Sequence, residues 1–106
     1  MPDLSINRGE TIKTMGEKIH ANAVLHGWWE TPRTIPELLV LIHSEVSEAL
    51  EAFRDNDMVG FAEELADIAI RLLDAAEGYQ IDLEHEIQAK HELNINRPFR
   101  HGGKLL

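Results

Sequence analysis

The sequence predicts an all-α chain of four helices, and three observations predict it. Apolar residues recur at helical spacing in successive stretches, most regularly at Ile35, Leu39, Ile42, Val46, Leu50 and Phe53. Start and stop residues fall where those stretches begin and end: Thr34-Ile-Pro-Glu37 opens the second, and Gly27 and Gly78 follow the first and third. The polar turn Arg54-Asp-Asn-Asp57 is short, so the helices it joins should be antiparallel neighbours.

Residues 1–7 read as an irregular lead-in. The first helix is expected over about 8–26, with Ile12, Met15, Ile19, Ala23 and Leu25 as its apolar stripe. Gly27 is expected to end it in the left-handed conformation, which glycine adopts without strain. The following loop holds both tryptophans, Trp28 and Trp29. Each ring either offers a face to a nucleobase or plugs the end of the core, and the sequence does not separate the two residues.

The second helix should start at the capping box of Thr34 and Glu37, with Pro36 in the first turn, and run to about Phe53. Leu38, Leu41, Ala49 and Ala52 widen its stripe on one flank, and Glu45 falls inside that flank with Glu48 at its edge. Glu37, Ser44 and Glu51 point to the opposite, polar side. The third helix is expected from Met58 to Glu77, with a wide apolar arc of Phe61, Leu65, Ile68, Leu72 and Ala76 flanked by Ala62, Ala69 and Leu73. So wide an arc implies contacts both within the bundle and with a second copy of the chain. Glu64 borders the arc, Asp67 lies one step round, and Glu63 should be solvated. Arg71, four residues after Asp67, is placed for a surface ion pair with it. A fourth helix over about 83–93 should turn Ile87 and Leu83 inward. Pro98 then stops helix, and Gly102 and Gly103 give a pliant tail.

A length of 106 residues suits a single domain with a modest core. The chain has no cysteine, which excludes disulfide and thiolate chemistry and fits a reducing cytoplasm. Met1-Pro-Asp-Leu-Ser5 is not a signal peptide, and no apolar run reaches the ~20 residues that span a membrane. The net charge of −9 is uneven. Residues 90–106 carry Lys90, Arg97, Arg100 and Lys104 against Glu92, or +3, which leaves −12 on the first 89 residues. An acidic body argues against a long nucleic acid as partner. A small anion that arrives with metal ions remains compatible with it. The histidines do not suggest zinc: His20 and His26, or His85 and His91, are six apart and share no helix face. His43 and His91 read as surface residues.

The chemistry rests on two carboxylate pairs, Glu45 with Glu48 and Glu64 with Asp67, each spaced i, i+3 on consecutive apolar helices. Packed face to face, these helices would bring together anions that resist burial unless cations neutralise them. Hard oxygen donors of this kind suit Mg²⁺ or Mn²⁺.

In that order along the chain, the pairs resemble the MazG-like family of all-α nucleoside triphosphate pyrophosphohydrolases. Its EExxE helix motif, its ExxD on the next helix and its basic stretch near the end match Glu45 and Glu48, then Glu64 and Asp67, then Lys90, Asn94, Arg97, His101 and Lys104. The match covers about 34–104. Ser44 stands where many members carry the first Glu, on the side facing away from Glu45.

The resemblance implies a four-helix MazG-like bundle assembled as a homodimer or homotetramer. It implies Mg²⁺-dependent cleavage of a nucleoside triphosphate between the α and β phosphates. Glu45, Glu48, Glu64 and Asp67 would be the metal ligands, with Glu48 the choice for proton removal. Lys90, Arg97 and Lys104 would contact phosphate, and Asn94 and His101 sugar or phosphate. Two alternatives stand beside it. One is a related all-α pyrophosphatase, of dUTPase or phosphoribosyl-ATP pyrophosphatase type. The other is a non-catalytic helical assembly module.

Overall fold

A computed structural model describes residues 2–99, which hold four helices and no strand. The helices are α1 (Ile12–Leu25), α2 (Ile35–Arg54), α3 (Met58–Gly78) and α4 (Leu83–Ile95). The α2–α3 pairing is the most extensive, α1 packs on α3, and α4 lies against α1. No described helix is long and apolar enough to cross a membrane.

Local chemistry accounts for most boundaries. α1 starts four residues later than the expected boundary near Arg8, because Thr11 caps it by accepting from the Thr14 N–H at 3.1 Å. Gly9, with φ +89°, keeps the preceding backbone out of the helix. Its other end closes as expected. Gly27 takes φ +83° and donates to the Val24 carbonyl, while Trp28 N–H reaches the Ala23 carbonyl. At α2 the Thr34 hydroxyl accepts from the Glu37 N–H at 3.3 Å, but Glu37 turns its own carboxylate to Arg33, so only half of the capping box forms. Asp57 caps α3 through Gly60 N–H, and Asp82 caps α4 through His85 N–H.

Helical phase was right, but the face that packs is not the centre of the stripe. The buried apolar residues among those described are only Leu38, Ala49, Leu73 and Ala76, and no large side chain is fully enclosed. These residues belong to the flank of the α2 stripe and to one side of the α3 arc. The centre of the α2 stripe, at Ile35, Leu39, Val46, Leu50 and Phe53, is about half exposed, as are Leu65 and Leu72 on α3. Ile87, expected inward, is 47% exposed, because α4 makes only a slight contact with α1 and offers it no core to enter.

Candidate metal centre and adjoining cavity

Glu45, Glu48 and Glu64 each place a carboxylate oxygen within 4.8 Å of the others, across the α2–α3 seam. Glu45 comes from the packed flank of α2 and is the one buried charged side chain among the described residues, 8% exposed. Glu48 is one turn further on, at the solvent edge, and Glu64 reaches across from α3. Ser44 is exposed on the far side, as helical phase required.

Arg71 steadies Glu45. Its Nε donates to Glu45 Oε1 at 2.8 Å, so the expected pairing with Asp67 gives way to one across the seam. A buried carboxylate draws the cation more strongly than a solvated one four residues away. That bond is the main reason the Glu45 carboxyl is held below its usual range. Glu64 moves the other way, up to about 7, chiefly through a proton shared with Glu45, then through burial and the Glu48 charge.

The second oxygens of Glu45 and Glu64 are buried and lack any hydrogen-bond partner. Two carboxylates can bond to each other only through a proton held by one of them, so without that proton the pair is unsatisfied. A cation fits this arrangement: every donor is a hard oxygen, the three donors lie within 4.8 Å of one another, and Glu45 and Glu64 each have an oxygen without a partner.

Asp67 does not join the trio. It is exposed and instead lines a cavity of about 710 Å³ between the seam and the N-terminal segment. Glu45, Arg71, Asp74, Asn22, Trp28 and Arg33 also line it. The volume falls within the range of small-molecule sites. Leu4, Ser5 and Ile6 of the N-terminal segment also line the cavity. Lys18 holds that segment in place, donating to Ser5 O at 2.7 Å and to Glu10 at 2.5 Å.

The two tryptophans separate cleanly. Trp29 is partly buried and tied down: Nε1 donates to both Asp74 oxygens, at 3.0 and 3.2 Å, and its ring meets His20 and Tyr79 edge-on. His20 bonds the same Asp74 through Nδ1 at 2.7 Å. Trp28 is 56% exposed at the cavity, with the Arg33 guanidinium 5.5 Å from the centre of its ring. Asp74 and Arg71 carry no local signal in the sequence, because their partners lie far away in the chain.

Lys90, Asn94 and Arg97 belong to α4 and the turn after it and do not line the cavity of their own chain. His101 and Lys104 lie outside the described residues. No family model, curated protein or solved structure matches the chain.

Proposed function

We propose that the chain is a divalent-metal-dependent nucleoside triphosphate pyrophosphohydrolase of the MazG-like type, yielding the nucleoside monophosphate and pyrophosphate. One observation carries the reading: acids from the two motifs converge across the seam, with two buried oxygens left unsatisfied. The neighbouring cavity supports it, being large enough for a nucleotide and furnished with an exposed indole.

In this reading Glu45, Glu48 and Glu64 hold Mg²⁺ or Mn²⁺, with Asp67 beside them at the cavity wall. When bound, the metal supplies Lewis acidity, screening phosphate charge and acidifying water. Glu48, the solvent-exposed member of the trio, takes the proton of the water that adds to the α-phosphorus. The bond from that phosphorus to the bridging oxygen then breaks, and pyrophosphate leaves. Trp28, with one face toward Arg33, stacks the base, whereas Trp29 is structural. Lys90, Asn94 and Arg97 reach the phosphates only if a neighbouring copy presents them. The half-exposed stripe on α2 and α3 supports a homodimer or homotetramer. A cysteine-free composition suits the cytoplasm.

The test is incubation with Mg²⁺ and a panel of nucleotides, deoxyuridine triphosphate and phosphoribosyl-ATP included, followed by product identification. Pyrophosphate and a monophosphate are expected, and orthophosphate alone would count against the reading. Glu45→Gln and Glu64→Gln should each lower turnover by at least about 100-fold, as expected when charge stabilisation at a reacting centre is lost. Unchanged rates in both remove the site, and absence of saturable Mn²⁺ binding favours the assembly module.

A further inference from the structure

The cavity is lined by three cationic side chains, and they are not equivalent. Lys18 is committed to Glu10 and to the Ser5 carbonyl. Arg33 is only 12% exposed and is committed to Glu37 and to the Trp28 carbonyl. Arg71 is 34% exposed and commits Nε alone, to Glu45. A guanidinium carries five N–H donors, so four remain without a partner among the described residues.

We propose that Arg71 is the phosphate-binding residue of the cavity, gripping Glu45 along one edge and an anionic phosphate oxygen of the ligand with its terminal nitrogens. This rests on the pyrophosphohydrolase reading and adds to it an anion contact that comes from the chain's own cavity and not from its basic tail. The planar fork suits the task, because two N–H groups on one side of a guanidinium match two oxygens of a phosphate. The position suits it as well. Arg71 spans from the buried acid of the proposed metal centre to the cavity wall, so a polyphosphate held there would meet both. The ion pair with Glu45 also fixes the guanidinium before ligand arrives, which lowers the entropy lost on binding.

The experiment uses the full chain and two probes that need no turnover. Mn²⁺ binding is followed by electron paramagnetic resonance, and binding of inorganic pyrophosphate with Mg²⁺ by calorimetry. Arg71→Gln is expected to keep saturable Mn²⁺ binding while pyrophosphate affinity falls about ten- to hundredfold, the scale of a lost charge-assisted bond. Arg71→Lys, which keeps the charge but not the fork, should fall in between. Pyrophosphate affinity equal to wild type in Arg71→Gln overturns the assignment. Should circular dichroism show that Arg71→Gln does not fold, Arg71→Lys decides: a drop of about fivefold or more supports the role, and an unchanged affinity overturns it. A wild-type chain that takes up no Mn²⁺ overturns the metal centre first, and the Arg71 role with it.

Discussion

The α2–α3 hairpin has two contrasting faces. Toward the cavity it buries an acid: Glu45 is as enclosed as Leu38, Ala49 and Leu73, one of its oxygens has no partner, and the carboxylates of Glu48 and Glu64 are close by. On the other side it leaves Leu39, Val46, Leu50, Phe53 and Leu65 about half exposed. Each face runs against the ordinary preference, with charge inside and hydrocarbon outside. The first is the face proposed to hold a cation, and the second is the face proposed to be covered by another copy.

The largest expected effect comes from attacking the outer face. Sedimentation of the wild-type chain should show a dimer or tetramer, and Leu50→Asp or Val46→Asp should shift it to monomer, since a charge in an apolar interface is uncompensated. A wild-type monomer at high concentration would end the idea that this face is covered by another copy.

The tryptophan pair sharpens the contrast at the cavity. Trp29→Ala should destabilise the chain by about 3 kcal/mol or more in denaturant unfolding, because it removes a packed aromatic and one of the two donors to Asp74. Trp28→Ala should change stability by less than about 0.5 kcal/mol, as for other exposed positions, and weaken nucleotide binding instead. Equal unfolding midpoints for the two variants would refute the division of labour.

A smaller effect is expected from pH. The Glu64 carboxyl titrates near 7 in the folded chain, above its ordinary 4.5. Between those values the folded state holds a proton that the unfolded state has released, so this group makes stability fall as pH rises from about 4.5 to about 7. Glu45, held low by Arg71, contributes in the opposite sense, with stability lost as pH falls through the acid range. The thermal midpoint of the metal-free chain should therefore decline from pH 5 to pH 8. Glu64→Gln should flatten that slope, and Mg²⁺ should reverse it, since cation binding needs the ionised form. A slope unchanged in Glu64→Gln would place the titration elsewhere.

What the sequence made legible was local. Thr34 and Gly27 act within a few residues of themselves, and the structure uses them as their chemistry suggests, whereas of the two acid pairs Glu45, Glu48 and Glu64 converge and Asp67 stands apart. Periodicity also located the α2 and α3 stripes in angle. It could not say which part of a stripe finds a neighbour, which is why the flank packs and the centre does not. The residues that escaped notice are those whose partners are remote. Arg71 passes over Asp67 for an acid 26 positions away, and Trp29 differs from Trp28 through Asp74, 45 positions along, and through the rings of His20 and Tyr79. The late start of α1 is a different case: both the Thr11 cap and the first apolar residue of the stripe, Ile12, mark it in the sequence.

Gly78 shows how far such remote ties reach. It ends α3 with a helical backbone, not a left-handed one; the positive φ falls two residues later, at Gln80. A β-carbon at position 78 would run into the six-membered ring of Trp29, which Asp74, His20 and Tyr79 hold in place. The vacancy at 78 and the indole at 29 are therefore a lock and its bolt. Descendants of this chain should keep both or exchange both together, and a lone alanine at 78 should be rare among them.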